Sequence, residues 1–186
     1  MTTQGSETII DILTSDHREV EQLFEQAKSA GSGEQRRELA DQIIADLVRH
    51  SVAEEQHLYP AVRQHLDNGN ERADHELSEH DTAEQMMKEI ESLGADDPQL
   101  ATKLGELEQE IKHHVEEEER EVFPELSSRV DNAGLVDLGD KIKQAKEQAP
   151  TRPHPSSPDS PGLLKLLGPG AGLVDRLRDR LSGRNV

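Results

Sequence analysis

Two stretches carry histidine and glutamate where a helix would ordinarily bury aliphatic side chains. They are "HSVAEEQHLYP" (50–60) and "HVEEEEREVFP" (114–124), which share a histidine, a glutamate four residues on, a second glutamate, and an aromatic–proline ending. Residues four apart lie one above the other on a helix face, so His50/Glu54 and His114/Glu118 each project an imidazole and a carboxylate in one direction. Two ionised carboxylates facing a helical core cost several kcal/mol each, at an order-of-magnitude estimate, unless paired. No lysine or arginine shares these stripes, and a cation is the simplest compensation. Imidazole and carboxylate without thiolate suit borderline first-row ions; iron suits best, and manganese and zinc accept the same ligands.

The elements that must position these groups read as helices. Ile9, Leu13, His17, Val20 and Phe24 step by 4, 4, 3 and 4, and Leu39, Ile43, Leu47, His50, Glu54 and Leu58 by 4, 4, 3, 4 and 4, the spacing of a single helix face. A third helix carries Leu77, His80, Ala83, Met87 and Ile90. The fourth carries Leu100, Leu104, Leu107, Ile111, His114, Glu118 and Val122. Turn-rich breaks at 29–34, 67–70 and 94–98 are short, which suits antiparallel neighbours. The expected fold is all-α, an antiparallel up-down four-helix bundle. A fifth, shorter helix with Asn132 as N-cap is expected to pack on the bundle end.

The chain is also a duplication. Shifted by 63 or 64 residues, "HREVEQLF" (17–24) falls on "HDTAEQMM" (80–87), and the two histidine–glutamate stretches fall on each other. His17 precedes His50 by 33 residues and His80 precedes His114 by 34. At ~1.5 Å rise per residue, up one helix and down the next, all four histidines return to one level of the bundle.

Composition narrows the rest. There is no cysteine, which removes disulfides, thiolate metal sites and a cysteine nucleophile. Residues 1–150 hold 15 Lys and Arg against 36 Asp and Glu, a net −21. Affinity for phosphate backbones comes from basic residues, so no nucleic acid is expected as a partner. The N-terminus lacks a basic, then apolar, leader, and the reading is cytoplasmic. Residues 1–148 are taken as the bundle. Residues 149–186 are read as a Pro/Ser-rich linker and a short basic amphipathic tail of net charge about +3, able to dock on the acidic body, a protein partner or a membrane surface.

The pattern His…His-x-x-x-Glu…His…His-x-x-x-Glu with its "LYP" and "VFP" endings resembles the hemerythrin HHE cation-binding family, over roughly residues 8 to 128. The resemblance implies His17, His50, His80 and His114 as iron ligands and Glu54 and Glu118 as bridging carboxylates. It implies two iron ions in an oxo- or hydroxo-bridged centre that meets peroxide, O2 or NO. One departure matters: oxygen-carrying members have a second histidine four residues from the third-helix one and a final aspartate, where this chain has Glu76 and Glu84 around His80, and Glu118. Either a coordination position stays open or Glu84 or its repeat mate Glu21 fills it. An open position favours peroxide or NO chemistry over O2 storage, as catalase-like disproportionation or NO reduction. The alternative is a non-catalytic iron- or oxygen-responsive sensor that signals through its tail.

Other residues receive plainer readings. His57, His65, His75, His113 and His154 are expected to face solvent, although His113/Glu117 is also an i, i+4 pair. A ferritin-like scheme built on Glu54-x-x-His57 and Glu110-x-x-His113 with Glu21 and Glu84 is unevenly spaced and is set aside. Tyr59 and Phe123 are expected to close the core, and Tyr59 is within reach of the metal pocket. Glu21 and Glu84 are either acceptors for ligand N–H groups or an exposed flank.

Overall fold

The structure, a computed structural model, describes residues 7–153 together with Asp179 and Val186. Of the linker and tail expected over 149–186, only residues 149–153, Asp179 and Val186 are described, and His154 lies outside the described part. Helix α1 spans Ile9–Lys28, and α2 spans Gly33–Ala53, running through a π-helical turn, Glu54–Leu58, into α3, Tyr59–His65. Helix α4 spans Gly69–Glu91; α5 spans Leu100–Glu117 and continues through a second π-helical turn, Glu118–Val122, into α6, Phe123–Arg129. These are the four long rods of an antiparallel up-down bundle. Helix α7 spans Asn132–Gln148.

Local chemistry sets the ends. Thr8 caps α1 through a reciprocal box: its hydroxyl accepts from the Asp11 N–H at 3.2 Å, and Asp11 Oδ2 accepts from the Thr8 N–H at 2.9 Å, satisfying two donors that a helix start leaves unpaired. The α3–α4 hairpin turns on Asn68, whose φ is 54°. Gly69 follows because a Cβ there would sit 2.2 Å from the Val62 carbonyl oxygen.

Two differences from expectation concern α7. Asp131 rather than Asn132 is its N-cap, because the Asp131 carboxylate accepts from the Gly134 N–H at 2.8 Å. The helix is seventeen residues long and lies along α1 and α2 instead of across the bundle end. Lys143 pairs with Glu7 at 2.7 Å and Lys146 with Asp16 at 2.5 Å, while Leu135 and Ile142 join the core. The close approach depends on Gly139, where a Cβ would meet the Glu7 carbonyl oxygen at 2.6 Å. Gly139→Ala is expected to lower stability by about 1–3 kcal/mol, since the added methyl meets fixed backbone; the shift of the urea midpoint measures it.

The core is divided. Val20, Phe24, Ile43, Leu47, Met87 and Leu107 belong to one buried cluster, and Ile9, Leu13, Leu58, Val62, Leu126 and Ile142 to another. Each fully buried Leu, Ile or Phe contributes about 1.5–3 kcal/mol, so two apolar ends hold the rods while the layer between them is polar. After α7 the chain stays on the body through Pro153: Ala149 joins the first cluster, and Arg152 meets Glu91 at 2.7 Å and Asp179 at 2.6 Å. No helix among the described residues is long and apolar enough to cross a membrane.

Candidate metal centre

The polar layer contains the six residues singled out from the sequence. His17, His50, Glu54, His80, His114 and Glu118 are all buried, both glutamates completely. His17, His50, Glu54 and Glu118 each bring one ligating atom within 4.8 Å of the others, and so do Glu54, His80 and His114. A third such group joins Glu118 and His114 to Glu76. Glu54 and Glu118 therefore stand between a His17/His50 pair and a His80/His114 pair.

Distances inside the cage suit shared cations. His50 Nε2 is 2.9 Å from Glu54 Oε1, His80 Nε2 is 3.4 Å from Glu54 Oε2, and His17 Nε2 is 3.5 Å from Glu118 Oε2. His80 Nε2 and His114 Nε2 face each other at 3.2 Å. Two nitrogens bound to one ion at about 2.1 Å are about 3.0 Å apart at a right angle and about 3.4 Å apart at the tetrahedral angle. Both Glu54 oxygens, Glu118 Oε2 and His17 Nε2 are buried without a hydrogen bond. Buried carboxylate oxygens without hydrogen bonds are costly, and a cation placed among these atoms would satisfy all of them.

The opposite nitrogens are held from outside. Asp16 lies 3.2 Å from His50 Nδ1, Glu55 3.3 Å from His80 Nδ1, Glu79 2.9 Å from His114 Nδ1, and Glu119 2.9 Å from His17 Nδ1. Each rod thus steadies the imidazole of the next, and the four contacts close a ring around the bundle. The ring follows from geometry. A neighbour in sequence is rotated about 100° around a helix; stepping back one residue on α1 and α4, and forward one on the oppositely running second and fourth rods, turns in the same sense. A carboxylate on Nδ1–H fixes the tautomer that leaves Nε2 free to bind and makes it more basic.

These ring carboxylates are functional residues that the sequence reading missed. The signal was present, since Asp16 and Glu79 immediately precede the matched histidines, and Glu55 and Glu119 immediately follow the matched glutamates. Asp16→Asn is expected to weaken metal binding about 10–100-fold, measurable by competition with a coloured chelator.

Both inward glutamates open a π-helical turn, in which the N–H of Tyr59 and of Phe123 reaches five residues back to the carbonyl of Glu54 and of Glu118. Pro60 and Pro124 come next; each lacks an N–H and its ring crowds the carbonyl four residues earlier, so the preceding turn widens. Such turns are rare and gather at functional sites. The aromatics then diverge. Phe123 stacks on His17 with centroids 5.8 Å apart, a packing role. Tyr59 does more than close the core: its hydroxyl is 2.9 Å from His80 Nε2 and donates to Glu118 Oε1 at 3.3 Å.

Glu21 takes the exposed-flank alternative, Glu84 does not, and two histidines differ from expectation. Glu21 is exposed and pairs with Arg18 at 3.6 Å, away from the cage. Glu84 is buried but joins none of the groups described above; the carboxylate that does is Glu76, one turn before His80. Of the histidines expected at the surface, His75 and His113 are exposed, whereas His57 and His65 are half-buried.

Electrostatics follow from burial and partners. Burial raises the Glu54 carboxyl, yet the close-lying charges of His50 and His80 pull it well below the usual range. Burial, reinforced by the charges of Glu54 and Glu118, holds the Tyr59 phenol well above its ordinary value. Glu76 is raised by burial against the bond it makes with His114.

A profile of the hemerythrin HHE cation binding domain matches residues 8–126. The chain belongs to the hemerythrin HHE cation-binding family. An uncharacterized hemerythrin-like protein of Schizosaccharomyces pombe is 29% identical over 174 residues, covering 93% of this chain and 86% of that protein. A DNA nickase of Nostoc is 25% identical over 154 residues, 81% of this chain but 43% of the nickase. Among solved structures, a hemerythrin HHE domain-containing protein of Mycobacterium kansasii superposes with a TM-score of 0.67 at 21% identity, covering 76% of this chain and 86% of that one. The HHE fold and a cage of metal-ligating type thus occur together in this chain.

Proposed function

We propose that this HHE protein carries two iron ions, which His17, His50, His80 and His114 would hold together with the carboxylates of Glu54 and Glu118. Its partner is a small oxidant, with peroxide ahead of O2 and NO, and its setting is cytoplasmic oxidative or nitrosative defence. The observation that carries this reading is a small cavity against the four cage histidines. A cavity of about 60 Å³, lined by all four histidines and by Val20, Leu47, Ala83 and Ile111, has room for only a few water-sized molecules. Peroxide and diatomic molecules are of that size.

Bound iron would supply a one-electron couple and an open coordination position. The chain's own residues do the rest. The ring carboxylates keep each Nδ1–H engaged, so every Nε2 stays aimed inward. Tyr59 offers an O–H beside His80 and Glu118, and Glu76, with its carboxyl raised by burial, can hold or release a proton beside His114. A proton donor and acceptor against His80 and His114, two of the histidines that line the cavity, favour peroxide, whose O–O cleavage takes up protons that oxidation of a second peroxide returns, over reversible binding of a diatomic, which needs none.

The test is peroxide consumption by iron-loaded protein. Many turnovers per chain are expected, abolished in His114→Ala and slowed by about 100-fold or more in Tyr59→Phe. Consumption of a single equivalent would remove the catalytic reading. A sensor is the second reading, and one contact favours it: Arg152 joins Glu91 on α4, the rod that carries His80, to Asp179 near the C-terminus.

A further inference from the structure

Three of the four ring carboxylates differ from Glu79 in how their outer oxygen is met. Lys146 takes that of Asp16 and Arg18 that of Glu119, each at 2.5 Å, and Glu55 Oε2 is buried without a hydrogen bond. Glu79 Oε1 faces outward onto two imidazoles: His75 Nε2 at 3.6 Å and His113 Nε2 at 3.7 Å. Glu117 completes the group, its oxygens 3.0 Å from His75 Nε2 and 3.7 Å from His113 Nε2. His75/Glu79 on α4 and His113/Glu117 on α5 are both i, i+4 pairs, and because the helices run antiparallel each histidine lies against the other helix's glutamate.

We propose that His75, Glu79, His113 and Glu117 bind a divalent cation of the zinc type, outside the cage. Two imidazoles and two carboxylates are a donor set that zinc accepts. The four imidazole–carboxylate separations bracket the ~3.4 Å expected between two ligands of one tetrahedral ion. His75, Glu79 and Glu117 already bring one atom each within 4.8 Å. Access is open, since the His75 and His113 side chains are 55% and 61% exposed, and His75 and Glu117 also line a surface groove. Ordinary surface ion pairing would account for one histidine on one glutamate, worth at most about 1 kcal/mol. It does not require both histidines to meet both carboxylates.

Glu79 belongs to both sites: its Oε2 accepts from His114 Nδ1 while its Oε1 faces the outer cluster. An outer cation would draw charge from Glu79 and lessen the basicity it lends to His114. This consequence rests on the metal reading of the cage; the outer site does not.

The experiment is zinc uptake by the full-length, iron-loaded protein in equilibrium dialysis, counted by elemental analysis and compared with His75→Ala/His113→Ala. Both substituted side chains are exposed, and helicity checks that the variant is folded. The wild type is expected to retain one more zinc per chain than the double variant, with Glu117→Gln losing the same ion and iron content equal throughout. Equal zinc in the wild type and the double variant overturns the proposal. Zinc entering the cage would raise both proteins alike, and a cage without iron would leave the difference of one intact, so failure of the cage reading is scored separately.

Discussion

Glu54→Ala is expected to empty both ends of the cage at once. Glu54 Oε1 stands 2.9 Å from His50 Nε2 and Oε2 stands 3.4 Å from His80 Nε2, so one residue serves the two histidine pairs. No hydrogen bond engages either oxygen, and no other described side chain touches both pairs in this way except Glu118. Elemental analysis should show two ions per chain in the wild type and none in the variant. The stabilisation that metal confers, about 2.7 kcal/mol when free metal exceeds Kd a hundredfold, should vanish with them. His17→Ala is the comparison: His17 belongs to one group only, so the His80/His114 ion should remain. Two ions retained in Glu54→Ala would refute the bridging role.

Metal uptake is expected to steepen with pH. In the metal-free protein burial disfavours the His50 imidazolium, but the charge of Glu54 and the bond to Asp16 outweigh it and raise the group to about 10. His114 is likewise opposed by burial and held well above its usual value by Glu118, Glu76 and Glu79. His50 therefore holds a proton at neutral pH that it must lose before Nε2 can bind a cation, and the upward shift of His114 acts in the same direction. Release of the His50 proton on loading makes apparent affinity rise by about tenfold per pH unit. Chelator competition between about pH 6 and 8 measures this, and a flat profile would contradict it.

The metal-free protein should behave in the opposite way. Stability contributed by the raised His50 is fully present below about 6.5, its ordinary value, and is lost as pH climbs through about 10. Glu54, lowered despite burial, contributes stability present above about 4.5 and lost on acidification. Thermal melts of metal-free protein should therefore be highest in mildly acidic solution, whereas metal stabilises increasingly as pH rises.

Legibility differed from residue to residue. His17, His50, His80 and His114 could be placed on one level because helix rise is constant and the duplication supplies matched distances; Glu54 and Glu118 followed from a fixed i, i+4 offset. Asp16, Glu55, Glu79 and Glu119 were present in the same repeat but indistinguishable from the many other acidic residues of a chain with 39 Asp and Glu. What separates them is the direction each faces, toward the next rod rather than toward solvent, and that requires the packed bundle. Tyr59 and Phe123 occupy equivalent positions, yet one hydroxyl reaches His80 and the other ring only stacks on His17, a difference that depends on one oxygen atom and on the widened turn before each proline.

The sequence by itself determined the helices, their count and direction, and the metal-ligating residue types, because hydrophobic period, turn residues and repeat spacing are local properties of the chain. Tertiary structure decided which carboxylate supports which imidazole and placed Glu76, rather than Glu21 or Glu84, beside the cage. It also laid α7 along the bundle and brought His75 and His113 to the same two glutamates. Each of these depends on the rotation and separation of helices distant in sequence, which side-chain packing fixes only when all the rods are in place.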